Sequence, residues 1–406
     1  MAELKSIEQH YRDVMGMGAA IPAKSVPLWE ADTLVLAEDV QARYAIPPFT
    51  NSAMDGFAVR AADVVPGHTV ALQADVPAGS TSSLELRPGT AIRIMTGAPL
   101  PAGADAVLTV ENTEGGQSAN MQPELPAAIV PTARVNVGEN VRSAGEDVAP
   151  GDCVFSAGTV LSGAHIGALA ALGYGAVRVH PRVNVGVLAT GSELTEPGVS
   201  LCSGHIPDSN SYMVAAMLAE HGAVPDRRGE YSDSVGRFLD VFDDLVHSND
   251  CVITTGGVSA GAFDVVKAAL RERGLHFEKV KMQPGKPQGW GLVDGKPVLC
   301  LPGNPVSVFV SMQLFGLPLL DILQGKEPHS FESLFAWAVA GTDWKHKLGR
   351  TQFLPAVLGD DGVLPASRGG SGSHLIGSLP QAELLAVTPA DQEWMRAGDA
   401  VRVLWL

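Results

Sequence analysis

Cysteine is scarce in this chain. The 406 residues hold four, at Cys153, Cys202, Cys251 and Cys300. There is no CxxC pair, no HExxH and no dense Cys/His cluster, so the usual zinc patterns are absent. Cys251 and Cys300 lie in apolar, strand-like runs and read as free buried thiols. Positive charge is also short. Lys+Arg 28 against Asp+Glu 44 leaves a formal net charge of −16. Such a chain repels a phosphate backbone, which excludes general nucleic-acid binding. An anionic substrate must therefore meet a local basic pocket or a bound cation. Long uniform apolar runs are missing as well. The longest, 306–323, is interrupted by Ser, Gln, Gly, Pro and Asp, and reads as a buried helix rather than a membrane span. The opening MAELKSIEQHYRDVM is charged and helical in pattern, unlike a signal peptide. A soluble, cytoplasmic protein without membrane partners is expected.

What is abundant points the same way. The 45 glycines and 28 prolines exclude a helical bundle and favour sheets, turns and loops. With 46% hydrophobic and 18% charged residues, wholesale disorder is excluded. The length suggests roughly two to three domains.

Read in order, residues 1–45 carry helical patterning, best at 8–15 and 27–42. From Ile46 to about Val141, short apolar runs alternate with Gly/Pro turns, as in a small all-β unit; 117–131 reads as a loop within it. A turn, a strand and a small-residue helix follow up to His180. The β unit therefore looks inserted into a mostly helical segment. Beyond Pro181, strands alternate with helices of 10–15 residues, the pattern of a mostly parallel sheet covered on both faces. After Gly325 the chain is strand-rich again and long enough for a small barrel or sandwich. The fold class is thus multidomain α/β plus β: a helical part (1–45 with 143–180), an inserted β domain (46–142), a three-layer α/β domain (181–325) and a C-terminal β-domain (326–406).

In an open α/β sheet, ligands bind beyond the carboxyl ends of the strands. Three Gly-rich turns fall there: TGSEL from Thr190, TTGGVSAGAFD from Thr254 to Asp264, and LPGNPVS from Leu301 to Ser307. Glycines let backbone amides approach an anion, and following helices aim their N–H groups at it. None is a Walker loop or a dinucleotide fingerprint. Taken singly, Glu193 reads as a helix-start acid, Asp264 as an N-cap and Asp233 as a surface acid or cap. Lys286, between Gly285 and Pro287, is the residue whose own setting suits an oxyanion. Asp55-Gly56 fits a hairpin turn, and local chemistry promotes neither it nor the Thr96 turn to a site.

Eight segments together carry more. PPFTNSAMDGFAV (47–59), AIRIMTGAPLPAGADAVLTVE (91–111), NVRSAGEDVAPGD (140–152), PRVNVGVLATGSEL (181–194), DSNS (208–211), ITTGGVSAGAFDVVK (253–267), MQPGKP (282–287) and LPGNPVS (301–307) stand in register. In these the chain resembles the MoeA-type molybdopterin molybdenumtransferases, the gephyrin E-domain family. The resemblance implies a four-part architecture with a C-terminal β-barrel, and a homodimer whose site lies between the α/β domain of one subunit and the inserted β domain of the other. It implies an enzyme of molybdenum cofactor biosynthesis. With Mg²⁺, the adenylate of adenylated molybdopterin is cleaved, AMP leaves, and molybdenum from molybdate enters the dithiolene.

Carried over by motif, the acids are Asp55, Glu193, Asp233 and Asp264, of which Glu193, Asp233 and Asp264 are the metal donors, with Thr96 and Lys286 completing the catalytic set. Asp147 matches a further acid with a structural role. The substrate-binding positions are Gly256, Gly257, Ser259, Gly261, Pro302, Gly303, Asn304, Ser307, Arg350 and Ser373; molybdate falls to Lys286, Ser307, Arg350 and Ser373. Three positions depart from the pattern. Ala262 and Ser192 stand where acids are common, and Gln283 where Lys is common, with Lys281 as a substitute on the same strand face. Other readings are a molybdopterin adenylyltransferase, which shares the GGxSxG domain, and a non-enzymatic scaffold as in gephyrin. A tungstate-handling variant and a partner protein that hands over the adenylated molybdopterin are also compatible with the pattern.

Overall fold

The computed structural model describes residues 4–79, 84–231, 234–257, 265–367, 372 and 375–406. Its centre is a six-stranded sheet in the order Val224–Glu230, Asn184–Thr190, Cys251–Thr255, Lys296–Leu301, Pro287–Val293, His276–Lys279. The first four strands run parallel, Pro287–Val293 runs against them, and His276–Lys279 pairs antiparallel with Pro287–Val293 and so runs with the first four. Successive side chains on a strand face opposite ways, so the central strands Asn184–Thr190, Cys251–Thr255 and Lys296–Leu301 feed two cores. Val185, Val187, Ile253, Leu299 and Leu301 join the core built with Val214, Met217 and Leu218 of the helix Asn210–Glu220. Leu188, Val252, Val298 and Cys300 join the opposite core, under Phe238, Phe242 and Leu245 of the helix Val235–Ser248. Fully burying a phenylalanine contributes about 1.5–3 kcal/mol, so the stacked Phe238–Phe242 pair is the main anchor of that second layer. All four cysteines are free thiols. Burial pushes the Cys251 thiol up to about 12, which keeps it a neutral core residue. The apolar helical stretch Pro305–Leu323 passes for a membrane span by length and composition but is 83% buried in the protein. It is a core helix, carrying a π-helical turn at Met312–Gly316.

The N-terminal region differs from the expectation of helix at 27–42. Strands Lys24–Pro27 and Val35–Leu36 flank Ala176–His180 in one antiparallel sheet, and Val40–Gln41 pairs with Cys153–Phe155. Thr33 has φ 65°, which no α-helix accommodates. Val26, Leu36, Val177 and Val179 share one core, a pairing across the chain that local spacing cannot reveal. The inserted unit is a five-stranded sheet, ordered Ala106–Thr109, Gly56–Val59, Thr90–Ile94, Val70–Val76, Ala128–Ile129. The stretch expected as loop, 117–131, thus contributes its edge strand and the short helix Gly116–Asn120. In the C-terminal unit, Thr351–Gly359, Leu384–Thr388, Ala400–Trp405 and Ala336–Val339 form successive antiparallel pairs. The coarse expectation, a multidomain chain of α/β and β parts, holds.

The helix Ile7–Met15 is capped by Ser6, which accepts from the Gln9 N–H, and buries Ile7, His10, Tyr11 and Val14 on one face. That face packs in the α/β core, with Tyr11 donating to the His329 carbonyl at 2.8 Å. His10 is 1% exposed, edge-on to Phe315 at 4.7 Å. Burial, with Lys5 adding to it, lowers its pKa to about 4. The unfolded chain then takes up a proton near pH 6.5 that the folded chain refuses until about pH 4. Stability should therefore fall as pH drops through that window, by about 3 kcal/mol at its lower end. Denaturant unfolding of wild type and His10→Leu between pH 7 and 4 checks this; an equal slope in both would assign the acid sensitivity to other groups.

Candidate active site

Three parallel strands end side by side, with Ala189 opposite Thr255 and Thr255 opposite Leu301. Each runs into a glycine turn. The Gly256 N–H donates to the Leu301 carbonyl at 3.1 Å, and a Cβ on Gly256 would stand 2.6 Å from the Thr190 carbonyl. Gly256 also has φ +94°, a region L side chains avoid. Gly256→Ala should cost about 1–3 kcal/mol in backbone strain, part of which the turn relieves by moving off Thr190. A loss in unfolding free energy together with reduced turnover is expected; wild-type stability in this variant would contradict the close packing of the turns.

Beyond the strand ends lies a cleft of about 510 Å³. Glu193 and Ile206 line one side, Pro302, Gly303, Asn304 and Ser307 another, and Gln283, Lys286 and Arg350 a third. Asn304 and Pro305 open the long core helix, with Pro at its first position, where a missing N–H costs nothing. Asn210 donates to the Gly303 carbonyl at 2.7 Å and so fixes that turn to the helix Asn210–Glu220. Arg350 arrives from the C-terminal unit. It precedes the strand Thr351–Gly359, which pairs in parallel with Met282–Gln283, Met282 opposite Thr351. That short ladder sets the guanidinium beside the Lys286 loop. Among the described residues, neither Lys286, Arg350 nor the Ser307 hydroxyl has a side-chain hydrogen-bond or ion-pair partner. Two unneutralised cations and a free hydroxyl facing one cleft suit an oxyanion.

The structure gathers Glu193, Lys286, Pro302, Gly303, Asn304, Ser307 and Arg350 in this cleft, and Gly256 stands against its Gly303 turn, where a Cβ on Gly303 would lie 3.8 Å from the Gly256 Cα. Gly257, the next residue, has φ 67°. Asp233, Ser259, Gly261, Ala262, Asp264 and Ser373 lie outside the described residues. Asp55 and Thr96 do not line the cleft. They sit in the inserted unit, where Thr96 donates its backbone N–H (2.7 Å) and its hydroxyl (2.8 Å) to Asp55 Oδ1. Lys281 does not stand in for Gln283. It lines a separate small cavity with Ser6, Ile7 and Arg402. The strand there is only two residues long, and before it the Val280 N–H donates to the Lys286 carbonyl at 2.8 Å, so strand alternation does not extend back to Lys281. Gln283 itself faces the cleft, its Oε1 buried and unpartnered among the described residues.

Mg²⁺ takes oxygen donors, usually one or two carboxylates plus substrate phosphates. Among the described residues no three His, Cys, Asp or Glu side chains converge. Glu193 fits one such donor: its carboxylate is folded over Gly191, where a Cβ would meet Oε2 at 2.5 Å, and it has no side-chain partner among the described residues. Thr254 and Thr255, buried at the adjoining strand end, also keep unpartnered hydroxyls among the described residues.

Sequence reasoning missed a polar cluster behind Glu193. Glu196 accepts from Tyr212, from Tyr231 at 2.6 Å and from Arg227 at 2.7 Å. These hydrogen bonds, that of Tyr212 foremost, hold its carboxyl down to about 2. No local signal marks it, because its members come from three separate segments, around Glu196, around Tyr212 and at Arg227 to Tyr231.

Comparison with known proteins agrees with this geometry. Residues 4–173 match the family described as MoeA N-terminal region (domain I and II), 186–322 match a probable molybdopterin binding domain, and 338–406 match the MoeA C-terminal region (domain IV). Molybdopterin molybdenumtransferase 2 of Mycobacterium tuberculosis is 39% identical over 416 residues, covering 98% of this chain and 99% of the relative. Molybdopterin molybdenumtransferase of Haemophilus influenzae is 34% identical, covering 93% of this chain and 92% of its own. A crystal structure of the molybdopterin biosynthesis MoeA protein from Pyrococcus horikoshii OT3 aligns with TM-score 0.79 and 28% identity over 100% of both chains. Another from the same genus reaches 0.82 at 26% identity, over 99% of both. Full-length similarity, three consecutive domain matches and a cleft at the matched strand ends converge: the chain belongs to the MoeA family of molybdopterin molybdenumtransferases.

Proposed function

We propose that the chain is a transferase of molybdenum cofactor biosynthesis that inserts molybdate into adenylated molybdopterin, with Mg²⁺-dependent cleavage of the adenylate and release of AMP. The observation that carries this reading is the pair of cations, Lys286 and Arg350, that line one cleft without an ion-pair partner among the described residues, in a chain of net charge −16. Lys286 and Arg350 hold the molybdate oxygens, and Ser307 donates its hydroxyl to one of them; Ser373 is assigned to the same oxyanion. The phosphates are assigned to the turns at Gly256, Gly257, Ser259 and Gly261 and at Pro302, Gly303 and Asn304, where glycine allows backbone N–H groups a close approach. When bound, Mg²⁺ supplies charge neutralisation at the phosphoanhydride. Glu193, Asp233 and Asp264 are the carboxylates assigned to hold it. Water attack on one phosphorus forms a P–O bond as its bond to the bridging oxygen breaks, giving AMP and the pterin phosphate; the two protons released go to the molybdate oxygen that the dithiolene sulfurs displace as water.

The working unit in this reading is a homodimer. Asp55 and Thr96 are tied to each other away from the cleft, which supports a second copy bringing them to it. The division into 1–45 with 143–180, 46–142, 181–325 and 326–406 is part of the proposal, with helix Ile7–Met15 of the first part packed on the third. So is closure of the last part into a barrel, which the bridge between Ala340 and Val363 supports. The two exposed free thiols, Cys153 and Cys202, suit the reducing cytoplasm, where a partner protein would hand over the adenylated substrate. The deciding experiment incubates the protein with adenylated molybdopterin, molybdate and Mg²⁺ and follows AMP and cofactor. Absence of AMP release with confirmed substrate would refute the assignment. Conversion of ATP and molybdopterin to adenylated molybdopterin and pyrophosphate, without AMP release, would point to adenylyl transfer instead.

A further inference from the structure

Glu193 reaches the cleft from a two-stranded parallel ribbon, Leu194–Thr195 with Ile206–Pro207. At the cleft end, the Ile206 N–H donates to the Glu193 carbonyl at 2.8 Å; at the other end, the Asp208 N–H donates to the Thr195 carbonyl at 3.0 Å. Residues 197–205 between the strands are exposed and give the ribbon little to rest on. The Glu193 side chain has no partner of its own among the described residues. Its position is therefore set by the ribbon's backbone.

That backbone is pinned at its far end. Glu196 follows the first ribbon strand and Asp208 follows the second. Arg227, in the edge strand Val224–Glu230, donates to Glu196 Oε1 at 2.7 Å, and Tyr231, just after that strand, donates to Oε2 at 2.6 Å. Asp208, 1% exposed, accepts the Ser211 N–H at 3.1 Å and the Ser211 hydroxyl at 2.5 Å. Tyr231 Oη stands 3.2 Å from Asp208 Oδ2, so one phenol joins both ribbon strands to the sheet. Its ring lies on Gly229, where a Cβ would meet Cζ at 2.4 Å. None of Glu196, Tyr231 and Asp208 lines the cleft.

We propose that Glu196, held by Tyr212, Tyr231 and Arg227, is a positioning residue that fixes the ribbon and thereby holds the Glu193 carboxylate where the cleft takes a divalent cation. The proposal rests on the reading of Glu193 as a Mg²⁺ donor. The carboxylate of Glu196 does not touch substrate or cation. It acts by removing the freedom of the two residues, Leu194 and Thr195, between itself and Glu193.

Mn²⁺ accepts the same oxygen donors as Mg²⁺ and serves as the probe. Its uptake by the full-length protein is read from the loss of the free-ion EPR signal, alongside the half-saturating Mg²⁺ and molybdate concentrations for AMP release. Glu196→Gln and Tyr231→Phe should each weaken Mn²⁺ uptake about tenfold, the scale of hydrogen-bond partners standing behind a metal donor. The double variant should be little worse than either single one, because both remove the same constraint. Half-saturation by molybdate, which Lys286 and Arg350 serve, should stay unchanged. Tyr231→Phe keeps the ring on Gly229, so it guards against a Glu196 variant that fails to fold. Wild-type Mn²⁺ affinity in Tyr231→Phe, or equal weakening of Mn²⁺ and molybdate, would overturn the positioning role. Glu193→Gln is the control for the underlying reading. If it leaves Mn²⁺ uptake and Mg²⁺ dependence at wild-type values, or if the wild type takes up no Mn²⁺, Glu193 is not a donor and the proposal falls with that reading.

Discussion

Chains carrying Asp55→Ala and chains carrying Glu193→Ala, each nearly inactive alone, should recover about a quarter of wild-type activity when mixed and refolded in equal amounts. Random pairing makes about half of the dimers mixed, and each mixed dimer holds one intact site of two. The expectation follows from where the residues stand. Thr96 and Asp55 bind each other in the inserted unit, while the cleft with Glu193, Lys286 and Arg350 lies at the strand ends of the α/β unit and contains neither of them. Each single change should lower AMP release by about a hundredfold, the scale of a positioned catalytic group, which leaves a clean baseline. Heterodimers separated by affinity tags on the two chains make the measurement quantitative. Verified heterodimers that stay at the baseline would mean that each chain builds its own site, with Asp55 and Thr96 having only a structural role in their turn.

Lys286→Gln should raise the molybdate concentration for half-saturation by a factor corresponding to about 1.5–3 kcal/mol, the range of a charge-assisted hydrogen bond. That is roughly tenfold to more than a hundredfold. The ammonium stands on a turn bounded by Gly285 and Pro287 and has no counter-ion among the described residues, so the lost attraction has no local substitute. Gln283, beside it, is neutral, and Lys281 faces a different cavity. Affinity for the adenylated pterin should change far less, because the assigned phosphate contacts come from the glycine turns. Arg350→Gln should act in the same direction. If molybdate half-saturation is unchanged in both variants, the oxyanion is held elsewhere, and the two cations serve the phosphates instead.

Much of the site was readable before any coordinates. TGSEL, TTGG and LPGNPVS read as strand-end turns because glycine lets backbone amides approach an anion by local chemistry alone, and the structure sets these three turns side by side. Lys286 stands out by its Gly–Pro surroundings. The continuous apolar runs at Asn184–Thr190 and Cys251–Thr255 read as strands of a sheet covered on both faces, and both are buried almost throughout. Spacing failed at 27–42, where short apolar runs fit a helix equally well; the choice fell to a partner strand, Ala176–His180, far along the chain. The two-residue strand Met282–Gln283 carried no signal of its own, yet its ladder with Thr351–Gly359 delivers Arg350 to the cleft and turns Lys281 away from it.

By itself, then, the sequence determined the kinds of elements, the glycine turns, the cation on its loop and the family, because those depend on residues adjacent in the chain. Only the tertiary structure decided which distant segments meet. It brought Arg350 beside Lys286, assembled Glu196, Asp208, Arg227 and Tyr231 into one cluster, and kept Asp55 and Thr96 out of the cleft. Contacts of that kind are selected by burial and pairing between segments scores of residues apart, and nothing in a local pattern encodes which partner wins.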